Sequence, residues 1–250
     1  MAVGEVPREG IVSPELTLPA AIEYTVRRSR RRRKTVQISV VGGEVVVAAP
    51  VRTPARELED IVRNRTPWIL RQLSEEAQQP APIRFITGEQ LPYLGQGATL
   101  AVALSHDPET TVGFHRGQFH ASVPADLDDE QRMDAIRAAI TAWYKDRAAQ
   151  QLPELVEHWL PRLGGEVSRI LIRNQKQRWG SCSADGTLRF NWRVMMLKPE
   201  LIEYIVVHEL AHLTHQNHSR DFWGHVAAAM PDAQQKRREL REAGRALPTL

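Results

Sequence analysis

The stretch "LIEYIVVHELAHLTHQNHSRDFW" (201–223) decides how the chain is read. It opens with seven mostly apolar residues and runs into His208-Glu209-Leu210-Ala211-His212, the pattern H-E-x-x-H. Pro199 stands just ahead, where a first helical position tolerates a missing N–H. The spacing therefore predicts a buried helix that carries a site. On a helix, positions i and i+4 share one face. Two imidazoles so placed can grip one Zn2+ at about 2.0–2.1 Å each. Glu209 sits beside the first of them and can act as general base toward a water that the metal activates.

A catalytic zinc needs a third protein ligand and an open position. His215 and His218 compete for that role. His215 shares the helix face, yet at about 1.5 Å rise per residue it lies roughly 10 Å along the axis from His208. His218 becomes reachable if the helix breaks at Gln216-Asn217, since asparagine tolerates helix-ending geometry. Ser219 then caps a new helix. His218 is favoured on this ground and on the resemblance below. His215 supports the site from outside or is exposed, and His225 belongs to packing or surface.

Upstream of the helix the pattern is mixed. Residues 1–20 read as a loose tail. Residues 21–125 read as a β-rich region with two short helices. Val36, Ile38 and Val40 alternate with polar residues, and Gly42-Gly43 signals a hairpin. Thr53-Pro54 and Thr66-Pro67 each read as a helix start. "QQPAP" (78–82) reads as a linker. Residues 126–250 read as a helical metal-binding region with a small sheet, in which Pro153 and Pro161 punctuate a short helix. There 167–174 is a strand, "RWGSCSADG" (178–186) a loop and "TLRFNW" (187–192) a half-buried strand. The fold class is α+β.

Composition narrows the classes. The chain has 250 residues, 42% hydrophobic and 25% charged, ordinary for a globular protein with a full core. A single cysteine, Cys182, excludes an internal disulfide. No apolar run approaches the ~18 residues a membrane helix needs, and the start lacks a secretory pattern. A cytoplasmic location is expected. The net charge is only +3, but the basic residues cluster in "RRSRRRRK" (27–34) and "KRRELREAGR" (236–245). Such clusters can meet nucleic acid, or can simply be a solvated strand face and a solvated terminal helix.

"HELAHLTHQNHSRDFW" and "QRWGSCSADGTLRFNWRVMMLKP" together resemble the YgjP-like family of zinc-dependent hydrolases, a zincin branch near the SprT-like and WLM metalloproteases. "VRRSRRRRKTVQISV" and "TPWILRQL" resemble it more weakly, so the likeness spans about 22 to 230. It implies a zincin-like metallohydrolase domain with one Zn2+ per chain, His208, His212 and His218 as ligands and Glu209 as catalytic base. The H-E-x-x-H-x5-H spacing is also that of metzincins, but Met230 comes too soon for their downstream methionine turn.

In zincins a strand beside the metal helix lines the cleft, and residues 187–192 fit that part. Arg178, Arg189, Asn191 and Arg193 are candidate substrate-binding residues; the arginines could neutralise a carboxylate, a phosphate or an oxyanion. Alternatively they are ordinary surface or ion-paired arginines. Cys182 or His215 could close the metal shell as a fourth ligand, although Cys182 also suits a tight turn. The leading functional expectation is a metallopeptidase acting on a peptide substrate. Its rivals are a nucleotide (UTP-type) pyrophosphohydrolase using the same metal, and a nucleic-acid-associated protein with structural zinc or a SprT-like protease recruited to DNA.

Overall fold

In a computed structural model, residues 22–29, 32–77, 82–175 and 178–250 are described. The expected tail at 1–20 lies outside them. The chain forms two compact units that divide after Gln78.

The first unit has a three-stranded sheet and one helix. Strands β1 (Tyr24–Ser29), β2 (Gln37–Val41) and β3 (Glu44–Pro50) lie in the order β1-β3-β2. The β2–β3 hairpin turns at Gly42 and Gly43, with φ of 62° and 77°, a left-handed pair that glycine adopts without strain. Val45, Val47 and Ala49 alternate inward on β3 and share a core with Leu58, Val62 and Ile69. Those three stand on one helix, α1 (Ala55–Ala77), which runs straight through Thr66-Pro67 where a second start was expected. Its buried stripe continues on both sides of the proline. The Thr66 hydroxyl bonds back to the Val62 carbonyl at 3.2 Å, as serine and threonine do inside helices. Burial outweighs the one hydrogen bond that Pro67 removes.

The second unit begins with β4 (Gln90–Tyr93), β5 (Gln96–Ser105), β6 (Thr111–His115) and β7 (Gln118–Pro124), ordered β4-β5-β7-β6. These strands share one core with the helical region, so the division falls within the linker rather than near 125. The reason is visible at Phe119, Ala121 and Val123, which bury against the same cluster as Ile136, Ile140 and Tyr144. Helix α2 (Asp129–Leu163) supplies the latter. Asp128 and Gln131 form a capping box at its start. Its buried residues Ile136, Ile140, Tyr144, Ala148, Leu152, Val156, Trp159 and Leu163 repeat every three or four positions. That uninterrupted stripe carries the helix through Pro153 and Pro161, which the sequence reading took as breaks. Tyr144 is fully buried and its hydroxyl donates to the Pro92 carbonyl at 2.5 Å, tying α2 to β4.

A second sheet follows, β8 (Arg169–Arg173), β9 (Gly180–Cys182) and β10 (Thr187–Asn191), ordered β8-β10-β9. A short 3-10 turn (Trp192–Met196) leads to α3 (Pro199–Ala211), then α4 (Arg220–Ala229) and α5 (Ala233–Ala246). Strand β9 lies inside the segment expected to be a loop. Residues 187–192 do not present the open edge expected of a cleft strand: β10 is central, paired on both edges, and four of its five residues are buried. No helix among the described residues is long and apolar enough to cross a membrane.

Candidate metal centre

Helix α3 is apolar nearly all round. Leu201, Ile202, Tyr204, Ile205, Val206, Val207, Leu210 and Ala211 are all buried, as befits a helix inside a core. It ends at Ala211, earlier than the expected break at Gln216-Asn217. The carbonyls freed there find partners without another turn. Ala211 O accepts from the Thr214 hydroxyl at 3.2 Å and the His215 N–H at 3.0 Å. His212 O accepts from the Gln216 amide at 2.7 Å. Asn217 Oδ1 then accepts from Ser219 N–H, and Ser219 caps α4 by accepting from Phe222 N–H at 3.3 Å.

This tight exit swings His218 back. One nitrogen each from His208, His212 and His218 lies within 4.8 Å of the others, a group that contains neither Cys182 nor His215. The Nε2 atoms of His208 and His218 are 3.1 Å apart. Burial, reinforced by the neighbouring His212 and His218, pushes the His208 imidazole down to about 3, so it is neutral at ordinary pH. Burial lowers His218 as well. The His212 Nδ1 lies 2.9 Å from the His215 carbonyl; donating there leaves its Nε2 lone pair free. The His208 Nδ1 is buried with no hydrogen-bond partner among the described residues. Three imidazoles with one ring nitrogen each converging are a donor set for a divalent metal, and nitrogen donors in this number suit Zn2+. Phe222 walls the group, stacked on His212 at 4.5 Å between ring centroids.

Glu209 points from the same helix toward β9. It is 6% exposed, and burial pushes its carboxyl up to about 8 against the opposing pull of Arg178 and the Cys182 backbone N–H. The pairing of β9 explains the contact. Asn191 N–H bonds to Trp179 O, and Ser183 N–H to Thr187 O, so these alternate residues face β10. Gly180 and Cys182 lie between them and face α3 instead. A side chain at Gly180 would stand 2.7 Å from Glu209 Cγ and Oε1. The absence of a Cβ is what admits the carboxylate.

The remaining candidates sort differently. Arg178 is exposed and acts electrostatically on Glu209. Asn191 is buried and engaged at both ends of its amide: Nδ2 donates to Gln175 O at 2.7 Å and Arg178 O at 3.2 Å, while Oδ1 caps Arg193 N–H. Arg189 bonds to the Ser183 hydroxyl at 2.9 Å. Arg193 lies over the Trp192 ring at 4.3 Å and donates to Asn174 Oδ1. These three hold the sheet and its exit together rather than facing the histidines. Burial pushes the Cys182 thiol up to about 11, and its sulfur lies outside the group of converging nitrogens. His215 contributes its carbonyl, and His225 lies 2.8 Å from Leu163 O through Nε2. Sequence reasoning missed Gly180. A glycine inside a strand marks a close approach, but only once the segment is read as a strand.

A family model described as a YgjP-like metallopeptidase domain matches residues 34–243. Among solved structures, the metallopeptidase zymogen of Pyrococcus abyssi abylysin is 30% identical over 39% of this chain and 99% of its own, with a TM-score of 0.35. That of Methanocaldococcus jannaschii jannalysin is 24% identical over 38% and 97%, with a TM-score of 0.34. No curated protein matches. The family match spans both sheets of the second unit, the histidine helix and most of α5, and on it the chain belongs to the YgjP-like metallopeptidase family, a family of metal-dependent hydrolases.

Proposed function

We propose that the chain is a zinc-dependent peptidase in which His208, His212 and His218 hold one Zn2+ and Glu209 is the general base. The observation that carries this reading is the convergence of three imidazoles next to the buried Glu209. The metal, when bound, supplies Lewis acidity and lowers the pKa of a coordinated water. Glu209 would accept a proton from the attacking water and return it to the leaving amine. Its burial keeps bulk water from competing for the proton, while the Cys182 N–H fixes one carboxylate oxygen. The backbone groups of Gly180 and Cys182 that face away from β10 lie beside Glu209, where an extended peptide can align.

A peptide fits better than a nucleotide. Phosphate hydrolysis needs several free cations aimed at the oxygens. Of the arginines near the site, Arg189 and Arg193 are committed to their own sheet and Arg237 lies over Trp223, which leaves Arg178 alone beside Glu209. The test is a side-by-side assay of peptide and nucleotide libraries with the zinc-loaded chain and a Glu209→Gln variant. Peptide cleavage that disappears in a variant still holding one equivalent of zinc is expected. Full activity in that variant, or turnover of nucleotides alone, defeats the reading.

A further inference from the structure

The basic C-terminal segment singled out in the sequence has no part in the chemistry above, yet α5 packs on α3 and reaches the centre at two points. Near its start, the Arg237 guanidinium lies 4.7 Å over the Trp223 ring. Trp223 in turn stacks on His218, with ring centroids 5.8 Å apart and planes at 25°. His218 stacks on His208 at 5.0 Å and 27°. Two turns further along α5, Gly244 lies so close to Trp179 that an added Cβ would meet the ring's Cζ2 at 3.0 Å. Trp179 immediately precedes Gly180, the residue that admits Glu209. Residues seven apart share one helix face, so a single face of α5 presses on the tryptophan at each flank of the site.

We propose that α5 is a buttress of the metal centre, in which Arg237 acts through Trp223 to hold His218 in its donating orientation and the bare backbone at Gly244 seats Trp179 so that β9 meets Glu209. Arg237, Trp223 and Gly244 are positioning residues. His218 needs such support because it is exposed, on the link between two helices rather than within one. Among the described residues no carboxylate pairs with Arg237, so its cation is free to act on the indole.

This inference rests on the reading of the three histidines as metal donors, and its test separates the two. Zn2+ affinity of the full chain is measured by competition with a chromogenic chelator, and Co2+ absorption reports donor geometry. Trp223→Ala is expected to lose about 10- to 100-fold in affinity and to change the Co2+ bands, with Trp223→Phe recovering most of both. Arg237→Leu is expected to change the Co2+ bands and Arg237→Lys to restore them, while the Zn2+ affinity of the Leu variant also gains from losing a charge that repels a cation at His208 and His218. Gly244→Val is expected to keep its Zn2+ affinity while kcat falls about 10-fold and KM stays put, because a few tenths of an ångström pass through Trp179 to β9. Should Trp223→Ala fail to fold, the exposed Arg237 pair decides. A wild-type spectrum in Arg237→Leu, or equal spectral changes in the Leu and Lys variants, overturns the inference. A wild-type chain that takes up no zinc overturns the histidine centre itself.

Discussion

Replacing Gly180 by alanine adds one methyl group at the place where β9 meets Glu209. The new carbon would stand 2.7 Å from Cγ and Oε1 and 2.9 Å from Cδ. Relaxed carbon contacts fall at about 3.5–4.0 Å, so the carboxyl group must retreat by about 1 Å. Gly180 is not among the residues with positive φ, and alanine brings no backbone strain of its own. Glu209 is buried and has little room to retreat into. Overpacking of this kind costs about 1–3 kcal/mol, which lowers Tm by a few degrees to about 10 °C in a unit of this size. The catalytic loss should be larger. A displacement of about 1 Å in a proton-transferring group can cost about 100-fold in kcat. Zinc content should hold, because the atoms nearest the added carbon all belong to Glu209 and none to the three imidazoles. The assay is kcat on the best peptide of the library, with zinc by atomic absorption and Tm by calorimetry on the same preparation. A Gly180→Ala enzyme with wild-type kcat would refute the argument that Glu209 works from the space this glycine leaves open.

Four further outcomes follow from the same geometry. Glu209→Gln should keep the metal and lose at least about 100- to 10,000-fold in kcat, the usual worth of a positioned base. Chelation should lower Tm, since a metal free at about a thousand times its Kd adds about 4 kcal/mol to the folded state; an unchanged melt with EDTA would argue against the histidine centre. Tyr144→Phe strands the Pro92 carbonyl and should cost about 1–3 kcal/mol by urea titration, with peptide cleavage intact. The Asp185 carboxyl is held at about 2, below its ordinary 3.8, first by the Ser183 hydroxyl and then by Thr187. Its contribution is therefore present above 3.8 and lost as pH falls toward 2. Asp185→Asn should flatten the acid limb of Tm against pH in that window alone, and a variant with an unchanged limb would count against it.

The sequence carried the metal helix almost completely, because H-E-x-x-H is a local statement about one turn of helix. Pro199, Ser219 and the His208–His212 pair all act within a few residues of themselves. What it hid was set by partners far away. Pro67, Pro153 and Pro161 look like stops, and only the buried stripes of α1 and α2 show why the helices continue. The helix end at Ala211 depends on side chains that find carbonyls once folded, which the residue types permit without fixing the position. Asn191, Arg189 and Arg193 carry recognition chemistry in the abstract, and the sheet around them spends it on structure. Gly180 was invisible because β9 has just three residues, too few for a period to show.

The short distance along the chain between the three imidazoles has a consequence for how the centre matures. His208 through His218 span one helix end and one link, so bringing them together closes only a small loop, and small loops cost little entropy. The proposed base is different. Its seat requires β9, which exists only when paired in a sheet assembled from a separate stretch of chain. On the proposed reading, capture of the ion and readiness for hydrolysis are thereby uncoupled in folding: a newly made chain with α3 and α4 ordered would load its metal before Glu209 is seated for hydrolysis.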